Sequence, residues 1–311
     1  MKKRFLKFII IFLLIFSVIF LIDYVSRIFL IKRLGENFSL WKYDFVLRKN
    51  IHFENEKSNY RTPDVTTGSS KKSAITLIGC SYTYGYLLED DETLGYQLSK
   101  YTGRTVYNKG ICDGSPATVL YQLNQPWFLD ELKKENPEYF IYTYIEDHNR
   151  RVLSGITDSM DEKVCGFYKT TKNGGVREIE YNKFSLFINS FHFYRLMSAY
   201  IDEKICKKGD YRLVGELFGE INSVLKKNFP NSKFVILVFD PDEDAYYFPK
   251  EHEEKMMNEI GEKYGIKILY TKKMSVGKEI LSGKLRASDD LHPSKEAWAG
   301  LVPDISKELN L

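Results

Sequence analysis

The feature that most constrains the fold of this 311-residue chain is a series of five short apolar runs separated by segments with helical periodicity. The runs are rich in β-branched and aromatic residues and are near-continuous rather than alternating, which is typical of strands buried on both faces. They comprise residues 75–78, 105–107, 139–145, 234–239 and 266–270. The helical patterns comprise residues 93–100, 117–134, 211–229, 249–264 and 294–309. This alternation predicts an α/β fold, a three-layer α/β/α sandwich with about five parallel strands.

Chemically reactive side chains follow the first run and precede the last helix. Ser81 comes directly after the run, in a Gly-Cys-Ser sequence, and sites in parallel sheets gather at the carboxyl ends of strands. Far downstream, Asp289 stands three residues before His292, with Asp290 as a competing carboxylate. Together these residues predict a serine nucleophile, a histidine base and an aspartate that orients the base.

The N-terminus has the pattern of a membrane anchor. Four basic residues lie within the first seven positions, and residues 8–22 carry no charge. The apolar stretch, counted from Phe5, is 18 residues long and contains only Lys7 as a charged residue. Because the first alanine is Ala74, small residues typical of a signal-peptide cleavage site are missing. We expect an uncleaved, single-pass signal anchor with a cytoplasmic N-terminus and an extracytoplasmic body.

Charge is distributed unevenly along the chain. The first 33 residues contain seven Lys or Arg and one Asp, so their net charge is +6, whereas the whole chain carries +3. The remainder is therefore slightly acidic and has no electrostatic footprint for nucleic acid. We divide the chain into an anchor at 1–34, a polar linker at 35–73 and one domain at 74–311, with an insertion at about 150–208.

The cysteines show no metal-binding spacing. Cys80, Cys112, Cys165 and Cys206 form neither a Cys-X-X-Cys pair nor a Cys/His cluster, so we expect no metal and no cofactor. An even count in an exported domain permits disulfides, and Cys80 and Cys112 follow neighbouring strands. Free buried thiols are an equal alternative.

Three sequence blocks resemble those of the SGNH, or GDSL-type, hydrolase superfamily. Residues 79–85, Gly-Cys-Ser-Tyr-Thr-Tyr-Gly, resemble the first block, and residues 108–114, Asn-Lys-Gly-Ile-Cys-Asp-Gly, resemble the second. Residues 289–293, Asp-Asp-Leu-His-Pro, match the Asp-X-X-His-Pro block. The resemblance covers the chain from about residue 74 to its end and implies a flavodoxin-like fold. It also implies that Ser81 is the nucleophile and that the backbone N–H groups of Ser81 and Gly110 form the oxyanion hole.

The chain departs from the family pattern at two places. Cys80 stands where the family usually has an aspartate, as on a membrane-anchored branch with Gly-Cys-Ser in the first block. The third block, normally Gly-X-Asn-Asp, is replaced by Tyr-Ile-Glu-Asp-His-Asn at residues 144–149, called the third-block segment below. Glu146, His148 and Asn149 are the candidates for the missing oxyanion or substrate contact.

The resemblance and the anchor together imply a serine esterase outside the membrane that removes O-acyl groups, most plausibly O-acetyl groups, from a cell-envelope glycan. The same triad would serve an envelope polysaccharide O-acetyltransferase, which would need an acyl-donor membrane protein as a partner. A non-catalytic glycan-binding or assembly protein that retains the fold is the third alternative.

Overall fold

The computed structural model describes residues 73–112, 114–154, 168–171, 175–178, 212–239, 250–287 and 292–311, with some positions between 11 and 25. The chain divides into two units. One comprises Met1–Lys49 and Glu180–Lys204, and the other comprises Asn50–Ile179 and Ile205–Leu311. The strands and helices named below belong to the second unit.

The described positions between residues 11 and 25 are helical, and their side chains are exposed. Within the described residues, no helix is both long enough and apolar enough to span a membrane. Most of the predicted anchor at 1–34, including more than half of its apolar stretch at 5–22, and nearly all of the predicted linker at 35–73 lie outside the described residues.

The predicted parallel sheet is present. Its strands are β1 (Ala74–Gly79), β2 (Val106–Gly110), β3 (Pro137–Tyr144), β6 (Lys233–Val238) and β7 (Lys267–Tyr270). They are arranged in the order β2-β1-β3-β6-β7, and every neighbouring pair is parallel. This is the flavodoxin-like strand order, in which ligands bind beyond the carboxyl ends of the strands near β1.

A small hairpin and a set of helices complete the described fold. Strands β4 (Tyr168–Thr170) and β5 (Val176–Glu178) pair antiparallel and lie within the interval predicted as an insertion, about 150–208. The helices are α1 (Ser81–Tyr84), α2 (Leu94–Thr102), α3 (Pro116–Leu123), α4 (Pro126–Glu135), α5 (Asp147–Ser154), α6 (Arg212–Asn228), α7 (Lys250–Tyr264), α8 (Gly277–Leu281) and α9 (Lys295–Leu309). Residues 179–211, which include the later part of the predicted insertion, lie outside the described residues.

The sheet is covered on both faces, as the uninterrupted apolar strands predict. On β3, Phe140 and Tyr142 pack into one core with helices α3, α4, α6 and α7. Tyr139 and Ile141 point to the opposite face and pack with α2 and α9. The described fold is therefore a three-layer α/β/α sandwich.

The prediction of one continuous helix at 117–134 was wrong. The structure has two helices, and Pro126 occupies the first turn of the second. Proline lacks the backbone N–H that an interior helical position donates, and its ring clashes with the preceding turn. The chain therefore ends α3 at Leu123 and starts again at Pro126.

A buried lysine on the edge strand is held by two carboxylates of α4. The side chain of Lys109 has no exposed surface and forms ion pairs with Glu131 and, at 2.9 Å, with Glu135. The hydroxyl of Thr76 donates to the second oxygen of Glu135 at 3.2 Å. Burial raises the pKa of Glu135 to about 7, although the Lys109 charge acts in the opposite direction.

Candidate active site

The turn after β1 presents Ser81 at the carboxyl edge of the sheet. Gly79 has a φ of +144°, and a Cβ atom there would lie 2.4 Å from the Thr83 hydroxyl oxygen, so the position requires glycine. Cys80 then caps α1 with extended backbone angles, and its side chain is buried in the core. Ser81 is the first residue of the helix and is 6% exposed.

His292 reaches Ser81 from the other end of the domain. Its Nε2 atom lies 2.9 Å from the Oγ atom of Ser81, and the ring is 4% exposed. The rings of Tyr82 and Tyr86 contact the imidazole, with centroids 5.0 Å and 4.9 Å from its own. Ala287 donates its N–H to the His292 carbonyl at 2.7 Å, which anchors the loop before α9. The predicted pairing of serine and histidine is present in this geometry.

The predicted carboxylate of the triad cannot be located in the structure. Asp289 and the competing Asp290 lie outside the described residues. The proton-accepting role of His292 Nε2 requires that Nδ1 carry the other proton, and an aspartate at Nδ1 would fix that tautomer. The role of Asp289 stays a prediction from its spacing and from the family resemblance.

Gly110 packs directly against the helix that carries the nucleophile. A Cβ atom at Gly110 would lie 2.3 Å from the backbone nitrogen of Tyr84, so only glycine permits this approach. The N–H of Gly110 donates to Oδ1 of Asn108 at 3.0 Å. The Nδ2 group of Asn108 donates in turn to the Thr83 carbonyl at 2.9 Å. Asn108 thus fastens β2 to α1, and the Gly110 amide that the family resemblance assigns to the oxyanion hole is engaged by Asn108 in this structure.

The candidates of the third-block segment are buried. Glu146 and His148 are 3% and 0% exposed. Nδ1 of His148 lies 3.0 Å from the hydroxyl of Tyr142, and its ring packs edge-on against Tyr142 and Tyr144. Burial lowers the pKa of His148 well below its ordinary value. With no exposed surface in this structure, His148 packs inside the core, and its role as a substrate contact stays a prediction.

Asn149 lies next to His148 and is buried to the same extent. Its amide nitrogen and oxygen make no hydrogen bond of good geometry, although its side chain interacts with the Tyr144 hydroxyl and opposes the rise in pKa that burial causes there. A buried amide without well-formed hydrogen bonds carries a desolvation cost, which a bound water or ligand group could offset.

Arg151 belongs to the same edge of the sheet but was missed by the sequence reasoning. Its guanidinium is 8% exposed and pairs with Asp147 at 2.7 Å. It also donates to the carbonyl of Gly114, in the second block, at 3.0 Å. The available signal was the i,i+4 spacing of an acid and a base directly after β3.

The cysteines near the site are thiols. No disulfide joins Cys80 and Cys112 in the structure. Cys165 and Cys206 lie outside the described residues. Burial raises the pKa of the Cys80 thiol, and the charge of Arg151 opposes that rise. Among the described residues, no cluster of three or more His, Cys, Asp or Glu could hold a metal ion.

Comparison with known proteins finds similarity among solved structures. No protein-family model matches the chain, and no curated protein matches it either. A lipolytic protein of the G-D-S-L family from Desulfitobacterium hafniense is 12% identical with a TM-score of 0.44, covering 76% of this chain and 99% of that one. A family 2 carbohydrate esterase from Corynascus thermopiles is 13% identical with a TM-score of 0.45, covering 79% and 69%. An acetyl xylan esterase from Butyrivibrio proteoclasticus is 11% identical with a TM-score of 0.41, covering 79% and 66%.

The first of these structures carries the name of the G-D-S-L family that the three sequence blocks resemble. At identities of 11–13% and TM-scores of 0.41–0.45, these similarities assign no residue roles to this chain.

Proposed function

We propose that this chain is an SGNH-type serine esterase that removes O-acyl groups, in particular O-acetyl groups, from a cell-envelope glycan outside the membrane. The observation that carries the proposal is the 2.9 Å contact between Ser81 Oγ and His292 Nε2. A histidine nitrogen at that distance can take the hydroxyl proton as the oxygen attacks an acyl carbon. The position of both residues near the carboxyl end of β1 agrees with where such folds bind ligands.

The chemistry follows from these two side chains. His292 Nε2 accepts the Ser81 proton while Oγ bonds to the acyl carbon, and the carbonyl electrons move to its oxygen. Collapse of this intermediate expels the sugar alkoxide, which takes the proton from His292. The enzyme is left as an acyl-Ser81 ester. Water, deprotonated by the same nitrogen, then attacks the acyl carbon of that ester. Collapse of this second intermediate breaks the bond to Ser81 Oγ, which takes the proton back from His292, and the carboxylic acid is released.

The developing oxyanion needs hydrogen-bond donors. Ser81 opens α1, so its N–H is one of the first helical amides, which have no partner within the helix. For Gly110 to be the second donor, its N–H must leave the Asn108 oxygen when substrate binds. The amide nitrogen of Asn149 is the alternative second donor from the third-block segment.

A non-catalytic protein would not need Ser81 and His292 to lie within hydrogen-bond distance of each other. The observed contact therefore disfavours the non-catalytic alternative. The O-acetyltransferase alternative shares every step up to acyl-Ser81 and differs only in the acceptor, a sugar hydroxyl in place of water. The glycan substrate and the extracytoplasmic location are supported by the basic, apolar N-terminus and by the family resemblance.

The test is release of acetate from p-nitrophenyl acetate and from acetylated envelope glycan by the full chain in detergent. We expect turnover by the wild type, its loss in Ser81→Ala and in His292→Ala, and retention in Ser275→Ala, which removes an exposed hydroxyl. A fluorophosphonate should label only variants that retain Ser81 and His292. Equal labelling of the wild type and His292→Ala would refute the serine–histidine mechanism.

A further inference from the structure

Arg151 joins two segments that border the nucleophile. Its Nε donates to Asp147 Oδ2 at 2.7 Å, within α5, and its Nη1 donates to the Gly114 carbonyl at 3.0 Å. The side chain is 8% exposed, so the charge is held where solvation by water is limited. A buried guanidinium needs such fixed partners, and its planar fork sets their relative positions.

The Gly114 carbonyl belongs to a loop that lies against the end of β1. Ile111 donates its N–H to the Gly79 carbonyl at 2.9 Å, and Gly114 donates to the Ile111 carbonyl at 2.9 Å. A Cβ atom at Gly114 would lie 2.9 Å from the Gly79 oxygen and 3.5 Å from the Cα atom of Cys80. The loop therefore touches the backbone immediately before Ser81.

The charge of Arg151 also acts on the backbone segment immediately before Ser81. It opposes the rise in the Cys80 thiol pKa that burial causes, so its positive potential extends to the residue beside the nucleophile. Burial strengthens such an effect because the local dielectric is low.

We propose that Arg151 is a positioning residue for the esterase: its guanidinium clamps the second-block loop, which includes Ile111 and Gly114, against the end of β1. The inference rests on the proposed function, because the clamp sets the backbone on which the oxyanion hole depends. Arg151 acts through Gly114 and makes no contact with Ser81 that the structure shows.

The test compares Arg151→Met and Arg151→Lys with a matched control, Arg104→Met. Arg104 is also a buried arginine paired with a carboxylate, that of Glu138. The side chains of this pair are 10% and 31% exposed. The corresponding values for Arg151 and Asp147 are 8% and 23%. Arg104 binds Ser73 and Glu138 at the opposite, amino-terminal end of the strands. We expect Arg151→Met to lower kcat about 10²-fold with KM changed by less than about threefold, since a small misplacement of catalytic backbone has an effect of that size.

Arg151→Lys should give an intermediate loss, because lysine keeps the charge but cannot bridge Asp147 and Gly114 with one planar fork. Arg104→Met should keep kcat within about twofold of wild type at a temperature where all variants are folded. The inference is overturned if both methionine variants show the same kcat, because the loss would then be a general effect of removing a buried arginine.

Amide hydrogen exchange in peptides covering residues 110–116 provides a readout independent of turnover. We expect faster exchange in Arg151→Met and unchanged exchange in Arg104→Met. Should wild type and Ser81→Ala both fail to hydrolyse esters, the proposed function is wrong, and exchange still decides whether Arg151 clamps the loop. Unchanged exchange in Arg151→Met overturns the clamp in either case.

Discussion

The ion-pair cluster of β2 and α4 predicts an unusual dependence of stability on pH. Glu135 has its pKa raised by burial to about 7, from an ordinary value of 4.5 that we take for the unfolded state. A raised carboxyl pKa means that the folded state binds the proton more tightly than the unfolded state. The stabilisation is therefore complete below the unfolded pKa and is lost as pH rises through the folded pKa.

The magnitude follows from the pKa difference. A change of about 2.5 units at about 1.36 kcal/mol per unit corresponds to about 3 kcal/mol of unfolding free energy, as an upper value. Glu135→Gln keeps the shape of the protonated group and removes its titration. We expect the variant to gain stability over wild type by up to about 3 kcal/mol as pH rises from about 4 to 8.

The assay is denaturant unfolding of the purified chain at a series of pH values, followed by the fluorescence of tryptophan, since Trp298 is fully buried. Subtracting wild type from variant removes the contributions of all other titrating groups. Glu131→Gln serves as the control, because Glu131 is a like charge that raises the pKa of Glu135. Its loss should lower the pKa of Glu135, so the pH at which stability falls should be lower in Glu131→Gln than in wild type. The reasoning would be refuted if the difference in unfolding free energy between wild type and Glu135→Gln did not change with pH.

Three further predictions concern Gly110, Gly215 and the membrane topology of the chain. Gly110→Ala should cost about 1–3 kcal/mol and lower kcat, because its Cβ would meet the Tyr84 nitrogen at 2.3 Å. Gly215 lies inside α6, where an added Cβ would lie 3.5 Å from Cγ1 of Ile260, so Gly215→Ala should instead gain about 0.5–1 kcal/mol of stability. Thermal unfolding that ranks both variants alike would contradict the packing. A reporter that works only outside the cytoplasm should be active when fused after Leu311, and activity of a cytoplasmic reporter there would exclude the predicted topology.

Local patterns were enough to predict most of the described sheet. Strands buried on both faces leave a continuous apolar signal, and each of the five predicted runs overlaps an observed strand. Pro126 carried a local signal as well, and its break in the helix could have been predicted. Ser81 and His292 were predicted because each stands next to an element boundary within a recognisable block.

The sequence by itself determined the strands, the alternation of layers and the two residues that would react, because these follow from short-range periodicity and from motifs. Only the tertiary structure decided that Ser81 and His292, 211 residues apart, meet at 2.9 Å. It also decided that His148 packs inside the core and that Arg151 turns toward Gly114. The direction of a side chain after a strand depends on how the following helix packs against the sheet, and that packing involves residues distant in the sequence.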